Sequence, residues 1–244
     1  MTDAELAAQL ARDAGRALIA IRDSGQHRGP DLGGAGDAGA NALLADALRA
    51  LRPDDGLLSE EEGDDEARLA RRRVWIVDPL DGTREYAEGR SDWAVHVGLA
   101  IDGVAAVGAV ALPALGLVLR SDRPLERAAP PAKPRIVVSR TRPPAEALAV
   151  ARALGGEQIA MGSAGAKAMA VVRGDADIYL HSGGQHQWDN CAPVAVALAH
   201  GLHCSRLDGA ALVYNGRDSA MPDLLICHSL LAASVLAVTA PKGR

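Results

Sequence analysis

The stretch of sequence that decides the fold reads Val74-Trp75-Ile76-Val77-Asp78-Pro79-Leu80-Asp81-Gly82-Thr83. Its first four residues form an apolar run that breaks at Asp78-Pro79, which is typical of a buried strand that ends at the edge of a sheet. Two carboxylates, Asp78 and Asp81, therefore leave one strand end together. On its own this pair leaves two interpretations open. It is either a metal site or two aspartates that end a strand and cap a helix.

The turn after this strand offers the oxygen ligands that magnesium prefers. The carboxylates of Asp78 and Asp81 and the carbonyl of Leu80 could face one ion. Gly82 and Thr83 then open a predicted helix, whose free N–H groups suit a phosphate. The sequence therefore predicts adjacent metal and anion sites.

Helices precede this strand and a meander follows it. Apolar residues at helical spacing predict a helix over about residues 3–23, which begins with a capping box, and a second over about residues 40–51. The Gly-rich segment 24–39 separates them, with Asp37 near the start of the second helix. Downstream, a hairpin turning at Asp102-Gly103 is expected. The segments involved are 93–101, 104–112 and a third strand at 115–120.

A Pro-rich segment divides the chain. Neither a helix nor a central strand tolerates its four prolines, so residues 123–134 are interpreted as a linker. It joins an N-terminal α+β half, 1–122, to a C-terminal α/β half, 135–244, within one predicted domain, 1–244. Strands and helices alternate in the second half, which predicts a layered α/β fold. The segments are 135–138, 145–154, 164–173, 177–180 and 187–200.

Composition excludes several classes of protein. With 26 Lys and Arg against 31 Asp and Glu, the net charge of −5 argues against a partner that is a nucleic acid polymer or a membrane surface. No apolar stretch approaches the ~18 residues of a membrane span, and the first residues are acidic where a signal peptide is basic. Cys191, Cys204 and Cys227 form no CxxC pair, which favours a reducing, cytoplasmic setting. The seven histidines show no metalloprotease spacing and are expected on the surface or in the core.

Two further motifs accompany the aspartate turn. Leu57-Leu58-Ser59-Glu60-Glu61-Glu62 lies upstream and Trp188-Asp189-Asn190-Cys191-Ala192-Pro193 lies downstream. Together with Asp78-Pro79-Leu80-Asp81-Gly82-Thr83, they resemble the motifs of the inositol monophosphatase superfamily of magnesium-dependent, lithium-sensitive phosphatases. The resemblance implies an α-β-α-β-α sandwich, two or three Mg²⁺ ions, and no covalent nucleophile.

The resemblance also implies a role for each motif residue. The implied metal ligands are Glu60, Asp78, the Leu80 carbonyl, Asp81 and Asp189. Thr83 resembles the threonine that polarises the attacking water, and Asp37 the acid that orients it. Two alternatives stay open. The run of three glutamates allows Glu61 or Glu62 to replace Glu60, and Asp37 or Asp189 could be only a helix N-cap.

Substrate choice is expected in the second half. Gly162-Ser163-Ala164-Gly165-Ala166-Lys167 precedes a predicted helix and suits a second anionic group, unless Lys167 is merely solvated. This segment and Val138-Ser139-Arg140-Thr141-Arg142 resemble those of the 3'(2'),5'-bisphosphate nucleotidases of the CysQ type. Arg142 stands where those nucleotidases often have a histidine. The resemblance therefore does not carry over their contact with the adenosine of the substrate to this position. Trp188 and Tyr214 are the late candidates for base stacking.

The expected function is therefore hydrolysis of a small phosphorylated substrate, with adenosine 3',5'-bisphosphate converted to AMP. Gly82, Thr83, Ser163, Lys167 and Arg140 are the expected substrate-binding residues. The alternatives are an inositol monophosphatase or fructose-1,6-bisphosphatase, and a non-catalytic phosphate-binding regulator. A homodimer stays open.

Overall fold

The computed structural model describes residues 1–126 and 128–240. These residues form seven α-helices and ten strands, joined in places by short 3-10 turns. The helices are α1 (Asp3–Asp23), α2 (Gly29–Leu51), α3 (Thr83–Ala87), α4 (Ala145–Ala153), α5 (Ala164–Arg173), α6 (Gln187–Ala199) and α7 (Ala232–Thr239). The strands are β1 (Gly56–Ser59), β2 (Arg73–Asp81), β3 (Ala94–Ile101), β4 (Val104–Leu112), β5 (Leu117–Arg120), β6 (Arg135–Ser139), β7 (Glu157–Met161), β8 (Ile178–His186), β9 (His203–Ser205) and β10 (Ala220–Cys227).

The first sheet has the order β1-β2-β3-β4-β5. Strand β1 runs parallel to β2, and the remaining pairs are antiparallel. Successive side chains of a strand point to opposite faces, and those of β2 are buried on both faces. Trp75 and Val77 pack among residues of α1 and α2, whereas Val74 and Ile76 pack on the side of α5 and α6.

The second sheet has the order β7-β6-β8-β10-β9. Strand β6 is parallel to β7 and β8, and β10 is antiparallel to β8 and β9. Val137 of β6 shares a core with α5 and α6, while its neighbours Ile136 and Val138 pack with α4 and α7. The layers are thus α1–α2, first sheet, α5–α6, second sheet and α4–α7, and the expected α-β-α-β-α sandwich is confirmed.

Helix α6 lies very close to the first sheet. A Cβ added to Gly98 of β3 would lie 2.9 Å from the backbone N of Ala192, and one added to Gly108 of β4 would lie 2.5 Å from the Ala192 carbonyl oxygen. Only residues without a side chain allow this approach at these two positions. The middle layer therefore brings a helix of the C-terminal half against the sheet of the N-terminal half.

Several expected boundaries were wrong. Helix α2 begins at Gly29, with Pro30 in its first turn, so the Gly-rich segment is largely helical and Asp37 lies inside the helix instead of near its start. Glycines fit there because α2 is closely packed: a Cβ at Gly33 would lie 2.7 Å from the Thr83 methyl carbon. Residues 113–115 form a 3-10 turn, so β5 begins at Leu117.

Other segments match the expectations or extend them. The capping box of Thr2 and Glu5 is present, and Asp102 and Gly103 both have positive φ in the hairpin turn. The expected linker joins β5 to β6, but Arg127 within it and residues 241–244 of the expected C-terminal half lie outside the described residues. Within the described ranges, no helix is both long and apolar enough to cross a membrane.

Candidate metal and phosphate site

Three aspartates from the two halves meet between the sheets. One carboxylate oxygen from each of Asp78, Asp81 and Asp189 lies within 4.8 Å of the other two. Asp78 and Asp81 come from the end of β2, where the pairing with β3 is irregular. Asp189 is the third residue of α6, and its Oδ2 accepts a hydrogen bond from the His186 backbone at 2.5 Å. We call these three residues the acidic cluster.

The electrostatics of the acidic cluster fit a divalent cation. Burial, followed by repulsion from Asp81, Glu60 and Asp189, raises the pKa of Asp78 well above its usual range. Burial and then the Asp81 charge raise the pKa of Asp189 to about 7. Like charges held this close are unfavourable without a counter-charge, and the donors are all oxygens, the ligand type of Mg²⁺.

Glu60 is the glutamate of its run that faces the acidic cluster. Glu60 is exposed as a whole residue, but its carboxyl group contacts that of Asp78, and desolvation there, followed by the Asp81 and Glu61 charges, raises its pKa. Glu62 instead turns toward α2, where it accepts hydrogen bonds from Arg49 at 2.5 Å and Asn41 at 3.3 Å. Glu61 affects both Glu60 and Asp37 through its charge, so it also lies near the site.

Asp81 links β2 to the start of α5. Its Oδ1 accepts from the Ala164 backbone at 3.1 Å, and its Oδ2 accepts from the Gly165 backbone at 2.6 Å and from the Ser163 hydroxyl. Burial opposes ionisation of Asp81, but His96, Ser163 and the Gly165 N–H outweigh it and hold the pKa well below its usual range. Asp81 is therefore the most firmly ionised member of the acidic cluster.

Thr83 and Asp37 lie together. The Thr83 hydroxyl donates to the Leu80 carbonyl at 3.1 Å and also contacts the Asp37 carboxyl group. Burial, followed by the Glu61 and Glu60 charges, raises the pKa of Asp37 to about 7. The turn before Thr83 depends on Gly82, which has φ of 91° and faces the Ser163 side chain.

Lys167 is buried, not solvated. Its side chain reaches back to the turn before α5, where Nζ donates to the Gly162 carbonyl at 3.0 Å and also to the Ser163 carbonyl. Burial lowers the pKa of Lys167. The Ser163 backbone has φ of 47°, a strained value for a residue other than glycine, and the Lys167 ammonium group helps to hold it.

Arg140 lies near the same turn but is paired with α3. Its guanidinium group donates to Glu85 and Glu88, each at 2.7 Å. Tyr214, one candidate for base stacking, was the wrong choice because it is buried and its hydroxyl donates to Asn190 at 3.0 Å. The half-buried Trp188, the other candidate, stacks on His186 with ring centroids 4.6 Å apart.

A family comparison covers nearly the whole chain. The model of the inositol monophosphatase family matches residues 2–240. This chain belongs to the inositol monophosphatase family. Its acidic cluster consists of the motif residues on which the resemblance rested.

Curated relatives of this chain are named as a 3'-phosphoadenosine 5'-phosphate phosphatase and as a 3'(2'),5'-bisphosphate nucleotidase. The chain is 50% identical to a 3'-phosphoadenosine 5'-phosphate phosphatase of Mycobacterium leprae, over 98% of this chain and 93% of the relative. It is 31% identical to the 3'(2'),5'-bisphosphate nucleotidase CysQ of Escherichia coli K12, over 86% of this chain and 93% of that relative.

Solved structures of the inositol monophosphatase family share the fold. A CysQ from Bacteroides thetaiotaomicron superposes with a TM-score of 0.80 at 23% identity, covering 93% of this chain and 97% of the other. An inositol monophosphatase from Anabaena superposes with a TM-score of 0.74 at 24% identity, covering 96% of this chain and 94% of the other. At these identities the likeness supports the layered fold and not a choice of substrate.

One residue of the site was not predicted from the sequence. His96 is fully buried, with Nε2 3.2 Å from Asp81 Oδ2 and Nδ1 3.0 Å from the Trp188 carbonyl oxygen. Burial alone would lower the pKa of His96, but the Asp81 carboxylate outweighs it and raises that pKa. The available signal was one polar residue in the otherwise apolar strand β3. That signal gains meaning only through the register that pairs His96 with Asp78.

Proposed function

We propose that this chain is a magnesium-dependent phosphomonoesterase that removes the 3'-phosphate of adenosine 3',5'-bisphosphate and releases AMP. The observation that carries the proposal is the 50% identity, over 98% of the chain, to a relative named for this phosphatase activity. The meeting of the acidic cluster with Thr83 and the start of α5 supports it, because metal and phosphate contacts are then adjacent.

Glu60, Asp78, the Leu80 carbonyl, Asp81 and Asp189 are the proposed metal ligands. Divalent cations held there would activate water as a nucleophile and offset negative charge on the phosphoryl oxygens. The chain contributes the oxygen donors and keeps them close together against their mutual repulsion. Two or three Mg²⁺ ions are proposed, in keeping with the family resemblance.

Asp37 and Thr83 are the proposed proton-handling pair. The Asp37 carboxyl group, with a pKa of about 7, can hold or release a proton near neutral pH. The Asp37 carboxyl group contacts the hydroxyl of Thr83, and this hydroxyl also contacts the Leu80 carbonyl. This pair would orient the attacking water and accept its proton, so the reaction needs no covalent nucleophile.

Gly82, Thr83, Ser163, Lys167 and Arg140 are the proposed substrate-binding residues. The Ser163 hydroxyl and the N–H groups at the start of α5 donate to Asp81, so they would have to release or share these bonds to contact a phosphate bound near the metals. Lys167 supports the turn that presents them and adds positive charge beneath it. Arg140 would have to leave Glu85 or Glu88, or share its donors, to contact the substrate.

The test is phosphate release from a panel of substrates. Adenosine 3',5'-bisphosphate should give the highest kcat/KM, above inositol 1-phosphate and fructose 1,6-bisphosphate. A preference for either sugar phosphate would favour the alternative activities, and no release from any would favour a phosphate-binding regulator. Gel filtration with light scattering tests whether the chain forms the homodimer that the sequence leaves open.

Asp78→Asn should abolish phosphate release while the protein stays folded, because one buried ligand is lost. Asp223→Asn is a matched control. Asp223 accepts from Arg206 in the second sheet, outside the acidic cluster, and its replacement should leave kcat/KM unchanged. Near-normal turnover by Asp78→Asn at saturating magnesium would contradict the assignment of the site.

A further inference from the structure

Arg68 connects two loops on the side of the first sheet where Glu60 lies. Its side chain is 1% exposed and lies in a 3-10 turn, Glu66–Ala70, that follows the glutamate run. The guanidinium group donates twice to Asp64, at 2.6 and 2.7 Å, which anchors the loop that begins at Glu60. It also donates to Asn215 Oδ1 at 2.8 Å and to the Gly216 carbonyl at 3.1 Å.

Asn215 continues this connection toward the C-terminal half. Its side-chain amide donates to the Arg68 carbonyl at 3.1 Å, so the two residues bind each other in both directions. Its backbone N–H donates to Gln187 Oε1 at 2.6 Å. Asn215 has φ of 59°, a left-handed conformation that asparagine tolerates better than most residues and that aims its side chain and N–H at different partners.

Gln187 completes the path to the acidic cluster. It is the first residue of α6, two positions before Asp189, and is 1% exposed. Its amide donates to the Asp218 carbonyl at 2.9 Å and to the Gly216 carbonyl at 3.3 Å. A continuous set of hydrogen bonds thus runs from the Glu60 loop to the start of α6. We call Arg68, Asn215 and Gln187 the Arg68 tie.

We infer that Asn215 is a positioning residue that, through the Arg68 tie, fixes the separation of Glu60 from Asp189 and so sets the affinity of the site for divalent cations. The two carboxylates come from different halves, and their like charges act on each other. The pairing of β1 with β2 and the packing of α6 on β3 and β4 place the two backbones near each other. The Arg68 tie adds hydrogen bonds that hold them there against the repulsion, so a cation does not have to draw the carboxylates together. This inference rests on the proposed function, since it assumes that both carboxylates bind metal.

The test compares magnesium binding by calorimetry, in the absence of substrate, for the natural protein and Asn215→Gly. Glycine keeps the left-handed backbone and removes both side-chain contacts with Arg68. The dissociation constant for Mg²⁺ should rise about tenfold, the size of effect seen when groups that hold metal ligands in place are replaced. The magnesium concentration for half-maximal activity should rise in parallel, while kcat at saturating magnesium stays within about twofold of that of the natural protein.

Asp102→Gly is the matched control. Asp102 is also a left-handed residue paired with an arginine, Arg72, but that pair is exposed at the β3–β4 turn. It should leave the magnesium dissociation constant unchanged. Gln187→Met is the second variant, because methionine has a similar volume and cannot make the amide hydrogen bonds. Gln187→Met should also raise the dissociation constant for Mg²⁺.

An unchanged magnesium dissociation constant in both Asn215→Gly and Gln187→Met would overturn the inference, even if both variants melt at lower temperature. Asn215 would then only stabilise the fold. A natural protein that binds no magnesium would overturn the inference and the proposed function together. Binding with an unchanged constant in the variants would leave the proposed function intact.

Discussion

Replacing Asp189 with asparagine should have opposite effects on stability with and without metal. In the metal-free protein the half-buried Asp189 carboxylate lies near Asp81 and Glu60, and its pKa rises from the ordinary 3.8 to about 7. Asparagine removes this charge and can still accept the hydrogen bond from the His186 backbone. The metal-free variant should therefore be more stable than the natural protein at about pH 8.

The size of the effect follows from the pKa. A rise from 3.8 to about 7 corresponds to about 4 kcal/mol of destabilisation by the ionised carboxylate. We expect about half of this, about 2 kcal/mol, because Asp189 keeps some exposure to solvent and the asparagine amide has a desolvation cost of its own. For a chain of this length, about 2 kcal/mol raises the melting temperature by roughly 4–8 °C.

The sign depends on pH. The unfolded carboxylate ionises at about pH 4 and the folded one at about pH 7, so the natural protein loses stability, relative to the variant, as pH rises between these values. Thermal unfolding in EDTA should show equal melting temperatures below about pH 4 and a more stable variant at about pH 8. Saturating magnesium should reverse the order at high pH, because only the natural protein keeps the full ligand set.

A metal-free Asp189→Asn protein that melts at or below the temperature of the natural protein at about pH 8 would refute this reasoning. Repulsion within the acidic cluster would then not lower the stability of the metal-free protein, and the fit of the cluster to a cation would lose its main support. Asp223→Asn is again the control. The Arg206 guanidinium holds the pKa of Asp223 below its usual range, with burial opposing it, so this variant should be less stable at about pH 8.

Lys167→Ala should lower kcat/KM for adenosine 3',5'-bisphosphate about tenfold more than for 3'-AMP, since only the bisphosphate has a second phosphate to bind; equal losses would limit Lys167 to its hydrogen bonds with the Gly162–Ser163 turn. Gly165→Ala should lower the free energy of unfolding by about 1–3 kcal/mol, because its Cβ would lie 2.0 Å from His96 Nε2; an unchanged denaturant midpoint would contradict this close approach. Magnesium should activate phosphate release, and calcium and lithium should inhibit it, calcium because it takes more ligands at longer distances; activity in EDTA equal to that in magnesium would contradict metal dependence.

The sequence predicted the parts of the fold in which local pattern and tertiary structure agree. Helix α1 was predicted with its cap and both ends, because an apolar stripe and a capping box mark it without reference to the rest of the chain. The start of α2 was missed because its glycines lower helix propensity. What overrides that propensity is the packing of Gly33 against Thr83, a contact between distant parts of the chain.

Strands β7, β9 and β10 and helix α7 were also missing from the expectations. Strand β9 has only three residues, and β7 leaves most of its side chains on the surface, so neither shows a clear alternation of apolar and polar residues. Strand β10 reads as a short apolar run, Leu224–Cys227, which periodicity alone does not separate from a buried helix segment.

The candidate site shows the same division. Asp78, Asp81 and Thr83 are close together in the sequence, so their proximity could be predicted from one motif. The burial of Lys167 could not, because it depends on how α5 packs between the two sheets. The same holds for the contact of His96 with Asp81, which depends on strand register.

The close approach of α6 to Gly98 and Gly108 bears on how the protein folds and comes apart. A helix encoded after the linker packs on a sheet encoded before it, so the central core of the protein draws residues from both halves, beside the one core cluster that lies within each half. Unfolding should therefore be a single cooperative transition, although the chain has two sheets. A protease that cuts the exposed residues Arg123–Glu126 would sever the chain without releasing either fragment. Fragments 1–122 and 135–244, each of which alone would expose its side of the shared central core, should complement one another into an active enzyme when they are produced together.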